Sequence, residues 1–207
     1  MSADQLAGGE YTSSNMRKHT SGNPLQRALL DRFHHAAAGL LARATPTPRR
    51  LLDAGCGEGF AMRAVLGELG AEVVGLDGSP GALRLAAALN PGRRFAAGDL
   101  LDLPFPARSF DLVACMEVLE HLDDPAGGLA ELRRVSAGWL LLSVPHEPLF
   151  RGANFLRGKN VGAWGNDPGH VNHWSARGFL RFVGAQCRVV AWRTSFPWTI
   201  ALCRAHD

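Results

Sequence analysis

Short apolar runs that end in glycine or acidic residues alternate along this chain with stretches of helical periodicity. After Asn23-Pro24, a cap followed by a first-turn proline, Leu25, Leu29, Phe33, Ala36 and Leu40 recur three or four positions apart, which predicts a leading helix. From Arg50 onward the character changes. Leu51-Leu52, Ala71–Leu76, Arg94–Ala97, Phe110–Cys115 and Trp139–Val144 read as strands, most of them too continuously apolar to have a wet face. Helical stretches separate them: Phe60–Leu69, one opening at Ser79-Pro80, and Pro125–Val135. Strands and helices in such alternation predict parallel strands with right-handed crossovers. Ser175 then caps a helix to about Val183, and Cys187–Trp192 and Thr199–Arg204 form two final strands joined across Phe196-Pro197.

Two segments stand apart from this alternation. Residues 1–22 are polar and glycine-containing, and are expected to be mobile without a ligand, leaving 23–207 as the folded domain. Residues 145–173 form a connection of 29 residues, far longer than the joints between the other elements. It carries Phe150, Phe155 and Trp164, too many large rings for a linker, and follows the carboxyl end of a strand. It is expected to cap a substrate.

The first strand runs into Asp53-Ala54-Gly55-Cys56-Gly57-Glu58-Gly59. Glycines there let the backbone turn tightly and approach a ligand closely. A dinucleotide fingerprint would need a further glycine at position 60, which is Phe60. The second strand ends in Asp77, 18 residues on from Gly59, the length of one helix and one strand. An acid at that strand end can accept both hydroxyls of a ribose.

The glycine pattern after an Leu-Asp strand end, with the acids that follow, resembles motif I and its partners in class I S-adenosylmethionine-dependent methyltransferases, over roughly residues 50–145. That resemblance implies a Rossmann-like methyltransferase fold: a seven-stranded, mostly parallel sheet with an antiparallel last strand and helices on both faces. It implies S-adenosylmethionine held by Asp53, Gly55, Cys56, Gly57, Gly59, Asp77, Gly78, Ser79, Asp99 and Leu100, with Asp99 and Leu100 at the adenine. Cys115 and Met116 would touch the methionine portion.

Methyl transfer asks a protein mainly for alignment; a hydroxyl acceptor also needs a base or a metal to take its proton. Glu117, Glu120 and His121 lie at i, i+3 and i+4, on one face if the chain is helical there. With the later Gly169-His170-Val171-Asn172-His173-Trp174, this resembles a metal-assisted subset that includes ubiquinone-biosynthesis O-methyltransferases and enzymes that 2′-O-methylate RNA 3′ ends. Glu117, Glu120, His121 and His170 would then ligate a divalent ion. Metal-free base catalysis by His121, His146 or His170 stands beside it as the alternative.

The N-P-P-Y-type loop of amino-methylating DNA enzymes, the paired-glutamate hairpin of arginine methyltransferases and the Asp-Asn metal motif of catechol-type enzymes are all missing. The resemblance therefore points to the ubiquinone-type, or type 11, group and to O-methylation of a small-molecule or lipid-like acceptor. An RNA 3′-end enzyme, a nicotinamide oxidoreductase and a non-catalytic binding module are the rivals. Net charge of only +3, with no stretch dominated by Lys and Arg, argues against nucleic acid. Residues 148–159 mix apolar groups with Arg151, Arg157 and Lys159, suiting either a peripheral membrane contact or a pocket cover. Four scattered cysteines, without a signal peptide or a long apolar run, suggest reduced thiols in a cytoplasmic protein.

Overall fold

The computed structural model describes residues 13–146 and 169–206. Most of the expected cap at 145–173, with the stretch 148–159, lies outside them. Twelve elements frame the site: α1 (Ser14–His19), α2 (Pro24–Leu41), β1 (Arg50–Ala54), β2 (Glu72–Asp77), α3 (Pro80–Leu89), β3 (Arg94–Ala97), β4 (Phe110–Met116), α4 (Pro125–Val135), β5 (Ser136–Pro145), α5 (Ala176–Gly184), β6 (Arg188–Ser195) and β7 (Trp198–Arg204).

The strands form one sheet in the order β3-β2-β1-β4-β5-β7-β6. The first five are mutually parallel, and β7 runs antiparallel between β5 and β6. The expected architecture is therefore the observed one. Strand order reverses between β1 and β4, the position where open α/β sheets leave a crevice at their carboxyl edge.

Both faces of the sheet are buried because its central strands are apolar on both sides over most of their length. Leu51, Leu112, Leu141 and Ile200 pack with Phe33 and Leu40 of α2 and with Met62 and Leu66. Leu52, Val113, Leu140 and Ala201 pack on the other face with Leu129 of α4 and Phe179 of α5. The predicted caps Asn23, Ser79 and Ser175 each accept a backbone N–H of their helix, as does Asp124 at the start of α4. A cap of this kind contributes about 1 kcal/mol. Phe60–Leu69 is helical, with a π-turn at Met62–Leu66 and a tight turn at Gly67–Leu69.

Two expectations change. Part of the segment expected to be mobile is helix α1, capped by Ser13, whose hydroxyl accepts the Met16 N–H. The chain after β4 is not a continuous helix. Glu117 has φ +62° while its N–H still bonds to Ser143 O of β5 (3.1 Å), and only Leu119–His121 makes a short 3₁₀ turn. A left-handed residue breaks the i, i+3, i+4 face on which Glu117 was to join Glu120 and His121.

Candidate active site

The glycine loop is held at the crevice by the end of β2. Gly55 and Cys56 N–H groups both donate to Leu76 O (2.7 and 2.9 Å). Asp77 Oδ2 accepts the Gly57 N–H and Oδ1 the Ser79 N–H, each at 2.8 Å. An ionised carboxylate has about four acceptor sites, so two remain for a ligand. The third glycine serves packing rather than ligand approach. A Cβ on Gly59 would lie 2.5 Å from the Asn90 amide nitrogen, which donates to Gly59 O and closes α3 against the loop.

Beyond the loop opens a cavity of about 920 Å³, bordered by Asp53, Gly55, Cys56, Gly57 and Asp77 at one end and by Met116, Glu117, Glu120, His121 and His170 at the other. Leu29, Leu30, Phe33 and His34 of α2 and Trp198 of β7 form its far wall. Gly78, Ser79, Asp99 and Leu100 lie outside that cavity, along the rim past Asp77, where Gly98 N–H bonds to Asp77 O (3.3 Å).

Two further candidates do not line the cavity. Cys115 alternates with Met116 along β4, so its side chain is buried in the opposite apolar layer and only its backbone is placed to meet the methionine end. His146 pairs with Trp174 through a β-bridge and donates its N–H to Pro197 O (2.7 Å). Pro145 lines the cavity and His146, the next residue, does not.

Helix α1 crosses the cavity at the glycine loop. Ser13 Oγ and Asn15 Nδ2 donate to the two carboxylate oxygens of Glu58. Lys18 pairs with Glu117 Oε2, and its ammonium lies 4.8 Å from the Trp198 ring centre. The His19 ring stacks on Phe60 (4.4 Å, 6°) and on His34 (5.6 Å, 16°). Burial, then the charge of Lys18, pushes His19 down to about 3, so it stacks as a neutral ring. Glu58, Ser13 and Asn15 were not singled out from sequence.

At the acceptor end the short turn carries Glu120 inward. Its carboxyl is buried, and neither oxygen has a hydrogen-bond partner among the described residues. Burial, then the nearby Glu117 charge, raises its pKa well above the carboxylate range. His121 Nδ1 lies 2.6 Å from Gly169 O. A carbonyl only accepts, so Nδ1 carries the proton and Nε2 keeps its lone pair. His170 meets His121 edge to face at 5.0 Å. Ligand atoms of Glu120, His121 and His170 all lie within 4.8 Å of one another. Glu117 is outside that group, its Oε2 taken by Lys18. Asn172, another residue without a sequence signal, fixes this corner: Val171 and Asn172 N–H bond to Glu120 O, and Asn172 Nδ2 to Leu122 O (2.6 Å).

Asp53 is the remaining buried acid. Its Oδ2 has no hydrogen-bond partner among the described residues, and burial, then the charge of Asp77, raises its pKa to about 7.

Residues 52–142 match the family model described as "Methyltransferase domain". That match spans a little under half of the chain. Over 101 residues it is 39% identical to a ubiquinone biosynthesis O-methyltransferase of Hahella chejuensis, covering 45% of this chain and 41% of the relative. Over 136 residues it is 31% identical to ajmaline N-methyltransferase of Rauvolfia serpentina, covering 56% of this chain and 47% of the relative. Among solved structures, magnesium protoporphyrin IX methyltransferase of Synechocystis, with bound S-adenosylhomocysteine, superposes with a TM-score of 0.68 at 22% identity, over 91% of both chains. The chain spans about half the length, or less, of the curated relatives it matches. The matched segment runs from β1 into β5, while α1, α2 and β7 supply cavity walls from outside it.

Proposed function

We propose that this protein is an S-adenosylmethionine-dependent methyltransferase that methylates a hydroxyl of a small-molecule or lipid-like acceptor. The observation that carries this reading is the glycine loop tied to Asp77 at the strand-order reversal, opening directly into a cavity that holds a His121 imidazole with a basic Nε2. Bound S-adenosylmethionine would supply the methyl group on a sulfonium. Asp77 would accept its ribose hydroxyls, Asp99 and Leu100 would take the adenine, and Gly57, Asp53 and Met116 would line the methionine end. His121 Nε2 would receive the hydroxyl proton as the methyl arrives on oxygen.

Calorimetry should show binding of S-adenosylhomocysteine and none of NAD. Methyl label should accumulate in a phenol- or alcohol-bearing extract component. Label on an amine would move the acceptor to the chemistry named for the ajmaline enzyme, and a salt-sensitive RNA gel shift would favour the RNA rival. Among the described residues no helix is long and apolar enough to cross a membrane. All four cysteines are buried free thiols, for which we propose a reducing, cytoplasmic setting.

Asp53 gives this reading a pH signature. Its folded-state pKa lies above the unfolded value, so the folded protein binds more protons between about 4 and 7 and loses stability as pH rises through that window. A ligand ammonium beside Asp53 favours the carboxylate. Binding below pH 7 should therefore release a proton, and affinity should rise with pH by up to about tenfold per unit until about 7. Calorimetry in buffers of different ionisation enthalpy reads the proton directly, and Asp53→Asn should abolish its release.

A second reading is favoured by Glu120, His121 and His170. A buried carboxyl with no hydrogen-bond partner among the described residues and two imidazoles within 4.8 Å make a donor set suited to Mn, Fe, Co or Zn. An ion there would polarise the acceptor oxygen, with Glu120 charged in place of its neutral form. Incubation with Mn²⁺ or Zn²⁺ followed by desalting should then leave about one ion per chain and raise the melting temperature, and Glu120→Gln should lose both effects. Full activity in EDTA with no retained metal would leave His121 acting as a base alone.

A further inference from the structure

The loop after β3 is clamped from outside the cavity by two charged residues of α4. The Arg134 guanidinium donates to Leu103 O (2.9 Å) and Phe105 O (2.8 Å), and forks onto Glu131 with two contacts of 2.7 Å. Glu131 Oε2 in turn accepts the Leu103 N–H (3.0 Å), and Arg134 O accepts the Arg108 N–H (2.8 Å). A turn earlier on α4, Gly128 leaves room for Leu100: a Cβ there would meet Leu100 at 3.0 Å and Leu122 at 2.5 Å. Leu100 and Leu103 are buried, whereas Leu101 at the tip is exposed. The loop's own contacts are short-range, with Asp99 Oδ1 accepting the Leu101 N–H, Asp99 O the Asp102 N–H (3.3 Å) and Leu103 O the Phe105 N–H (2.7 Å), so they shape the turn without tying it to the sheet. Its height over the rim is set by α4.

That height matters because of what precedes the loop. β2 and β3 are paired through Asp77 and Ala97, so Asp99 and Leu100 lie next along the rim from Asp77. A ribose on Asp77 directs its base toward them. We propose that Arg134, buttressed by Glu131, is a positioning residue that fixes Asp99 and Leu100 at the height needed to recognise the adenine of the cofactor. The clamp rests on the cofactor site proposed above. Arginine is required because five donors in a rigid fork serve two carbonyls and a carboxylate together, and a lysine ammonium cannot reproduce that plane.

The test compares S-adenosylhomocysteine with S-inosylhomocysteine, which lacks the adenine amine, by calorimetry on the full chain. Wild type should prefer the adenosyl compound. Arg134→Gln should weaken S-adenosylhomocysteine about tenfold and change S-inosylhomocysteine by less than about threefold, and Arg134→Lys should not restore the difference. Glu131→Gln, the milder variant, keeps one acceptor oxygen and should lose the preference in part. Amide exchange should quicken at residues 99–105 and not in β1 or β4. Equal weakening of both compounds, or an undiminished preference, would overturn the clamp. A wild type that binds neither compound would remove the cofactor site itself, and one that binds both equally would remove Asp99 from adenine recognition while leaving Asp77 in place.

Discussion

Replacing His121 by alanine is expected to lower kcat about 10²–10⁴-fold while the Kd for S-adenosylhomocysteine stays within about threefold. The imidazole is exposed at the cavity, away from the glycine loop, and its Nδ1 is committed to Gly169 O, so only Nε2 is available to an acceptor. Losing it removes the proton acceptor without disturbing Asp77 or Gly57. The measurement is initial rates on the acceptor found by methyl labelling, set against calorimetric affinity. A wild-type rate would take His121 out of the chemistry under both the base and the metal readings. A proportionate loss of cofactor affinity would make it structural.

Asp77→Ala should act the other way, weakening S-adenosylhomocysteine by roughly 1–3 kcal/mol, about 5- to 150-fold, through lost charged hydrogen bonds. The carboxylate does two things at once. It accepts the Gly57 and Ser79 N–H groups, one on each oxygen, and so holds the loop shut onto β2 before any ligand arrives. Asp77→Asn is expected to be nearly as costly as alanine, because its amide would point a donor at one of those two backbone donors. Unchanged affinity in both variants would exclude Asp77 from the cofactor site. The same variants should also lower the melting temperature of the ligand-free protein.

Much of the framework was legible because it is written in local pattern. Apolar runs such as Leu112–Cys115 mark strands buried on both faces, and Asn23-Pro24 and Ser79-Pro80 mark helix starts to the residue. Asp77 was legible because it sits at a strand end a fixed distance past the glycines. The acceptor end was less so. Glu117 was expected to share a helical face with Glu120 and His121, but its backbone stays in register with β5 and then turns left-handed, which depends on a neighbouring strand and not on local spacing. The layer that the Cys115 side chain enters was not legible, because a strand buried on both sides hides which of two adjacent residues faces the crevice. Contacts of Glu58 with Ser13 and Asn15, and of Glu117 with Lys18, join positions 43 to 99 residues apart. No short-range periodicity encodes such pairs.

The placement of β7 has a consequence for how the chain is made. β5 is buried along nearly its whole length, yet the neighbour on its outer side is β7, which comes later in the chain than β6. While residues 146–197 are still being translated, β5 therefore offers the ribosome's surroundings a bare apolar border with its amides and carbonyls unpaired. Closing that border requires Trp198–Arg204 to slip between β5 and β6 as a last wedge. A pause in synthesis before residue 198 should leave the nascent chain at its most prone to chaperone capture and self-association.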